Sequence, residues 1–133
     1  MLNFPITLLT ASILGLLLIF LSYKCVECRL RQRIALGDGG NDEMKRLARV
    51  QGNFTEYVPF ALILIAVLEA NNASPLLIYG MGTFLILGRI LHAWGLSLRA
   101  EASVGRFLGT LLTWMVILAG SVSGFYLTLN FTP

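Results

Sequence analysis

The sequence predicts an all-α integral membrane protein whose four helices cross the bilayer alternately up and down. Three observations carry that reading. First, 56% of the residues are hydrophobic and only 13% are charged, where a soluble domain carries about a quarter charged residues. Second, a chain of 133 residues is too short to bury such an apolar surplus in a globular core. Third, the apolar residues fall in long continuous runs rather than the short alternating segments of a transmembrane barrel. Lipid offers the backbone no hydrogen bonds, so runs of this kind must satisfy their own amides as helices.

The first run covers about residues 5–33, with an apolar centre from Ile6 to Val26. It lacks a positive leading region and a small-residue cleavage site, so it reads as a retained helix rather than a signal peptide. Leu36-Gly37-Asp38-Gly39-Gly40 is a strong turn signal. The second run covers about 42–70 and opens on Asp42-Glu43, acids that suit a helix N-terminus. Asn71-Asn72-Ala73-Ser74 ends it, and Pro75 suits the first turn of a third run over about 75–99. The fourth run covers about 104–129. At about 1.5 Å per residue each run can cross a hydrocarbon core of about 30 Å. No linker divides the chain, which reads as one domain.

Orientation follows from the basic residues. Arg29, Arg31, Arg33, Lys45, Arg46 and Arg49 flank the first connection, and Arg99 and Arg106 flank the third. The second connection and both ends of the chain carry no Lys or Arg. Connections one and three are therefore expected in the cytoplasm and both termini outside, in the periplasm if the membrane is a bacterial inner membrane. The net charge of +3 is accounted for by this bias and calls for no nucleic acid.

Several polar residues lie where lipid would not accept them. Arg49, Asn53, Glu56 and Tyr57 in the second run share one helical face. Arg89 and His92 in the third run lie three apart on one face. An ionisable side chain at the bilayer centre costs at least ~2.5 kcal/mol, so these faces should meet protein or a wet cavity. Counting back to the second connection, Glu56 lies roughly 20 Å from Glu69 and Arg89 roughly 21 Å from Pro75 along their helices, a depth match that allows the two to pair. Such a pair can also serve only to hold helices together. With Arg29 placed at a depth similar to Arg49, the whole is a layer rich in arginine and short of acids, which suits a ligand bearing carboxylates or a thiolate.

Other features point to less. Cys25 and Cys28 share one helix face but have no second pair or nearby histidine to complete a metal site, and a small apolar role fits them best. His92 is the only histidine. Gly80, Gly88, Gly95, Gly109, Gly120 and Gly124 are expected at close helix contacts. There is neither a P-loop nor a dinucleotide fingerprint.

The segment Arg49-Val50-Gln51-Gly52-Asn53-Phe54-Thr55-Glu56-Tyr57-Val58-Pro59 resembles the second-helix signature of the MAPEG family, the membrane-associated proteins in eicosanoid and glutathione metabolism. Its leukotriene-conjugating branch reads R-x-Q-x-N-x-x-E-Y-x-P, and every specified position matches. Gly88-Arg89-Ile90-Leu91-His92-Ala93-Trp94-Gly95 resembles the third-helix pattern of bacterial members. The resemblance implies a homotrimer that binds glutathione between subunits, in the cytoplasmic half of the membrane. Arg49, Asn53, Glu56 and Tyr57 would hold its polar groups, and Gln51 matches too, although helical geometry turns it away from that face. Arg29 falls where the family places a first-helix arginine, and Arg89 matches a third-helix one.

The chain departs from the pattern in two ways. The leukotriene-conjugating branch has tyrosines where this chain has His92 and Leu96. The thiolate-stabilising arginine lies near the start of the fourth helix, which makes Arg106 the matching residue, with Arg99 the alternative because the connection differs in length. The implied activity is conjugation or reduction of a lipophilic electrophile with glutathione as co-substrate and without a metal. The alternatives are a non-catalytic scaffold that presents lipid or glutathione, and a small transporter, for which a polar layer confined to one half makes a poor through-path.

Overall fold

The computed structural model describes residues 4–98 and 103–130, the side chains of 96–98 excepted. Four helices follow one another: α1 (Pro5–Gln32), α2 (Asp42–Ala70), α3 (Pro75–Leu98) and α4 (Val104–Leu129). All four are long and apolar enough to span a membrane; α1 ends one residue before the expected 33, α2 and α4 run over the expected 42–70 and 104–129, and the expected end of the third run at 99 lies outside the described residues. Arg99 lies outside the described residues.

Local chemistry sets the helix ends. Pro5 opens α1, where its missing N–H costs nothing. Arg33 closes α1 in the left-handed conformation, with φ of 55°. The turn that follows uses Gly37, Gly39 and Gly40 at positive φ, which glycine adopts without a Cβ penalty. Asn41 caps α2 by accepting from the Met44 amide at 2.9 Å, so the cap lies one residue before the Asp42-Glu43 pair that marks this end in the sequence. Ser103 caps α4 by accepting from the Arg106 amide at 3.3 Å.

The first helix has no side-chain cap of its own. Glu69, at the far end of α2, supplies one. Its carboxylate accepts from the Ile6 and Thr7 amides at 3.0 and 2.8 Å and from the Thr7 hydroxyl at 2.6 Å. At the opposite end of the same hairpin Arg31 donates to both oxygens of Glu43 at 2.6 Å. Between them Gln51 donates to the Ser22 hydroxyl at 2.9 Å.

The core lies along one stripe of α2, formed by Val50, Phe54, Val58, Ala61, Ile65 and Leu68, against Leu14 and Leu21 of α1, Ile78 and Leu85 of α3 and Val116 of α4. This spacing of three and four residues is the helical apolar stripe. Cys25 and Cys28 are buried and free, in a small cluster with Met44. Much of the outer surface is apolar, including Leu16, Ile19 and Leu118, as expected of walls that face lipid.

Glycines let α3 and α4 approach each other backbone to backbone. A Cβ on Gly109 would lie 2.5 Å from the Gly88 carbonyl oxygen and 2.5 Å from the His92 amide nitrogen. A Cβ on Gly95 would lie 2.5 Å from the Arg106 nitrogen. Gly120 is tight against Met81 and Leu64. Gly80 and Gly124 depart from the expectation: a Cβ on either meets nothing within 4 Å. Both face open space at the bundle wall, where spacing along the helix does not bring a neighbour.

Candidate functional site

The second helix presents two polar directions rather than one. Arg49 and Glu56 are seven residues apart, almost two full turns, and so lie one above the other. Their side chains form an ion pair of 3.3 Å and are 61% and 52% exposed. Asn53 points instead toward α3, where its amide oxygen accepts from Nη2 of Arg89 at 2.8 Å. The expected Glu56–Arg89 pair does not form. Depth along the helices matches, but Glu56 is turned about 60° from Asn53 around the α2 axis, away from α3.

Among the described residues Arg89 is the largest fully buried side chain, 1% exposed. Its guanidinium carbon lies 6.0 Å from the centre of the Phe54 ring, at the outer limit of a cation–π contact. Beside it His92 is 2% exposed. Nε of Arg89 and Nδ1 of His92 are buried without a hydrogen-bond partner among the described residues. The positive charges of Arg89, Arg106 and Arg49 all bear on His92, and Tyr57 lies within electrostatic range of Arg89. Residues of α2, α3 and α4 thus converge on one cationic layer.

Arg106 occupies the first turn of α4 and is half-buried. The tight passage of Gly95 against its backbone fixes it next to the end of α3. Two expected residues stand apart within the chain. Arg29 donates to the Gly37 carbonyl at 2.8 Å, and no hydrogen bond or ion pair among the described residues links it to the α2 layer. Gln51 faces α1, as its rotation on the helix predicts, with Ser22 as partner. Sequence reasoning passed over Ser22, a hydroxyl within an apolar run, and it passed over Glu69 as a capping group. A lone carboxylate at a helix end opposite an uncapped N-terminus was the available signal for Glu69.

A layer of guanidinium groups with one exposed carboxylate can bind a zwitterionic, mainly anionic molecule. Arginine engages carboxylates through paired N–H donors, and Glu56 adds an acceptor for an ammonium group. The MAPEG family model matches residues 7–126, which takes in every residue of this layer. The chain belongs to the MAPEG family. It is 34% identical over 113 residues, 85% of each chain, to inner membrane protein YecN of Escherichia coli K12, with the same figures for YecN of E. coli O6:H1. It is 35% identical over 85 residues to the uncharacterized protein sll1147 of Synechocystis, covering 63% of this chain and 61% of the other. Four spans and MAPEG membership together make this an integral, multi-pass membrane protein.

Proposed function

We propose that this MAPEG protein is a glutathione transferase-like enzyme of a bacterial inner membrane, assembled as a homotrimer with glutathione held at each subunit boundary. The observation that carries the reading is the exposed Arg49–Glu56 pair. Glu56 lies midway along a membrane-spanning helix. Facing lipid, the pair would incur the cost of ionisable groups in hydrocarbon. A neighbouring copy and a polar ligand remove that cost together. The unpartnered buried nitrogens of Arg89 and His92 support the same reading, since buried polar atoms are normally satisfied.

In this arrangement Arg49 and Arg89 attract the ligand's carboxylates, Asn53 and Tyr57 offer hydrogen bonds, and Glu56 receives the ammonium group. Arg29 and Gln51, which face away from the layer in their own subunit, serve the site of the adjacent one. Arg106 holds a permanent positive charge at the membrane boundary, where it favours the thiolate over the thiol. A lipophilic electrophile arrives from the bilayer, and the chain contributes orientation and charge stabilisation.

The test is addition of glutathione to the purified protein while thiolate absorbance and conjugation of 1-chloro-2,4-dinitrobenzene are followed, with native mass measurement in detergent. The expected results are a thiolate signal, turnover and a trimer. Binding with a fully protonated thiol and no turnover would instead assign a scaffold, and a monomer under mild conditions would remove the shared site.

A further inference from the structure

A second site lies away from the α2 layer, and it has the make-up of a lipid headgroup seat. A crevice of about 470 Å³ opens between α1, α2 and α3, at the end of the bundle beside the first connection. Lys24, Glu43 and Arg46 form its rim, while Leu17, Phe20 and Ile90 wall it below and Trp94 stands at the mouth. None of Arg49, Asn53, Glu56 or Tyr57 lines it. Phe20, Ile90 and Trp94 are 58%, 48% and 62% exposed, so the crevice opens sideways toward the acyl chains.

The rim charges decide the sign of the guest. Glu43 is engaged by Arg31 through both oxygens, and Lys24 pairs with Glu27. Arg46 has no carboxylate partner among the described residues. Counting Lys24, Arg31 and Arg46 against Glu27 and Glu43 leaves one positive charge at the crevice mouth. Leu17 lies seven residues below Lys24, roughly 10 Å deeper along α1. A cation at headgroup level above an apolar slot of that depth matches a phosphate joined to acyl chains, and basic pockets between membrane helices bind anionic headgroups in this way. Trp94 suits the interface, where its ring lies among headgroups.

We infer that this crevice binds an anionic glycerophospholipid of the surrounding leaflet, with its phosphate on Arg46 and a chain along Leu17, Phe20 and Ile90. The inference does not depend on glutathione binding. It is tested in a Trp114→Phe background, which leaves Trp94 as the only tryptophan. Vesicles carry a fixed fraction of brominated-chain phosphatidylglycerol or brominated-chain phosphatidylcholine, and Trp94 quenching reports occupancy. One cation at a membrane surface corresponds to about a fivefold preference for the anionic lipid. Arg46→Gln should bring the preference close to one, and Arg46→Lys, which keeps the charge, should retain it. Equal quenching by both lipids in the parent protein overturns the inference, as does an unchanged preference in a folded Arg46→Gln protein. Displacement of phosphatidylglycerol by a neutral lipophilic electrophile at equal membrane fraction also overturns it, and would make the crevice the electrophile's seat.

Discussion

Arg89 hydrogen-bonds Asn53 across the α2–α3 boundary at 2.8 Å, while its natural counter-charge, Glu56, is taken up by Arg49 on the outer wall. The buried cation is thus held by an amide dipole and an aromatic ring rather than by a carboxylate. Asn53→Ala leaves a buried guanidinium short of a charged hydrogen bond, a loss of about 1.5–3 kcal/mol. Thermal unfolding in detergent should show that loss, and a double variant Asn53→Leu with Arg89→Met should recover much of it. Equal stability of the parent and Asn53→Ala proteins would show that the bond contributes nothing.

Binding and activation should separate along α2 and α4. Arg49→Ala should raise the glutathione concentration needed for half-maximal rate and largely keep turnover at saturation. Arg106→Ala should cut turnover and abolish the thiolate signal while binding persists. Steady-state kinetics with one electrophile across a pH series measures both. If Arg99→Ala loses the signal and Arg106→Ala keeps it, the activating charge is Arg99.

The α3–α4 contact should not admit a side chain. Gly109→Ala pushes a methyl group against the α3 backbone at Gly88 and His92, and overpacking of this kind costs about 1–3 kcal/mol. Gly124→Ala, whose Cβ meets open space and which removes glycine's helix penalty of about 0.5–1 kcal/mol, should unfold at or slightly above the parent temperature. Calorimetry or a thermal fluorescence scan compares the two directly.

Loss of the Glu69 carboxylate should fray the start of α1. Helix-cap removal costs about 0.5–2 kcal/mol, and hydrogen exchange at Ile6 and Thr7 should rise in Glu69→Ala while exchange near Leu21 stays slow. Uniform exchange along α1 in that variant would argue that the cap acts only globally.

Topology is checked by labelling Asp38→Cys and Asn72→Cys in a background lacking Cys25 and Cys28. An impermeant thiol reagent added to intact cells should reach position 72 and not position 38.

Hydropathy made the four spans legible because a bilayer leaves few alternatives to a helix of that length. Turn glycines and Pro75 marked the breaks for the same reason. Rotation about each helix was less legible. Residue counts placed Glu56 and Arg89 at equal depth but could not say which of Asn53 and Glu56 turns toward α3, since that depends on how the core stripe of Val50, Phe54 and Val58 seats. Gly109 and Gly124 look alike in sequence, and only the neighbouring helix separates the packed glycine from the free one. Arg29 is further from legibility still, because its expected role belongs to a boundary with another copy.

The clasps on the first hairpin have a mechanical consequence. Glu69 grips α1 at one end, Arg31–Glu43 ties it at the other, and Gln51–Ser22 marks the middle. A piston stroke of α1 along α2 would break all three ties at once, so its longitudinal register is locked. Among the described residues α1 makes no contact with α4, and the glycine seam fastens α4 to α3. Sideways, the α2 core stripe and the Asn53–Arg89 bond hold the first hairpin to α3 and α4, so the two hairpins are fastened across their shared face as well as within each.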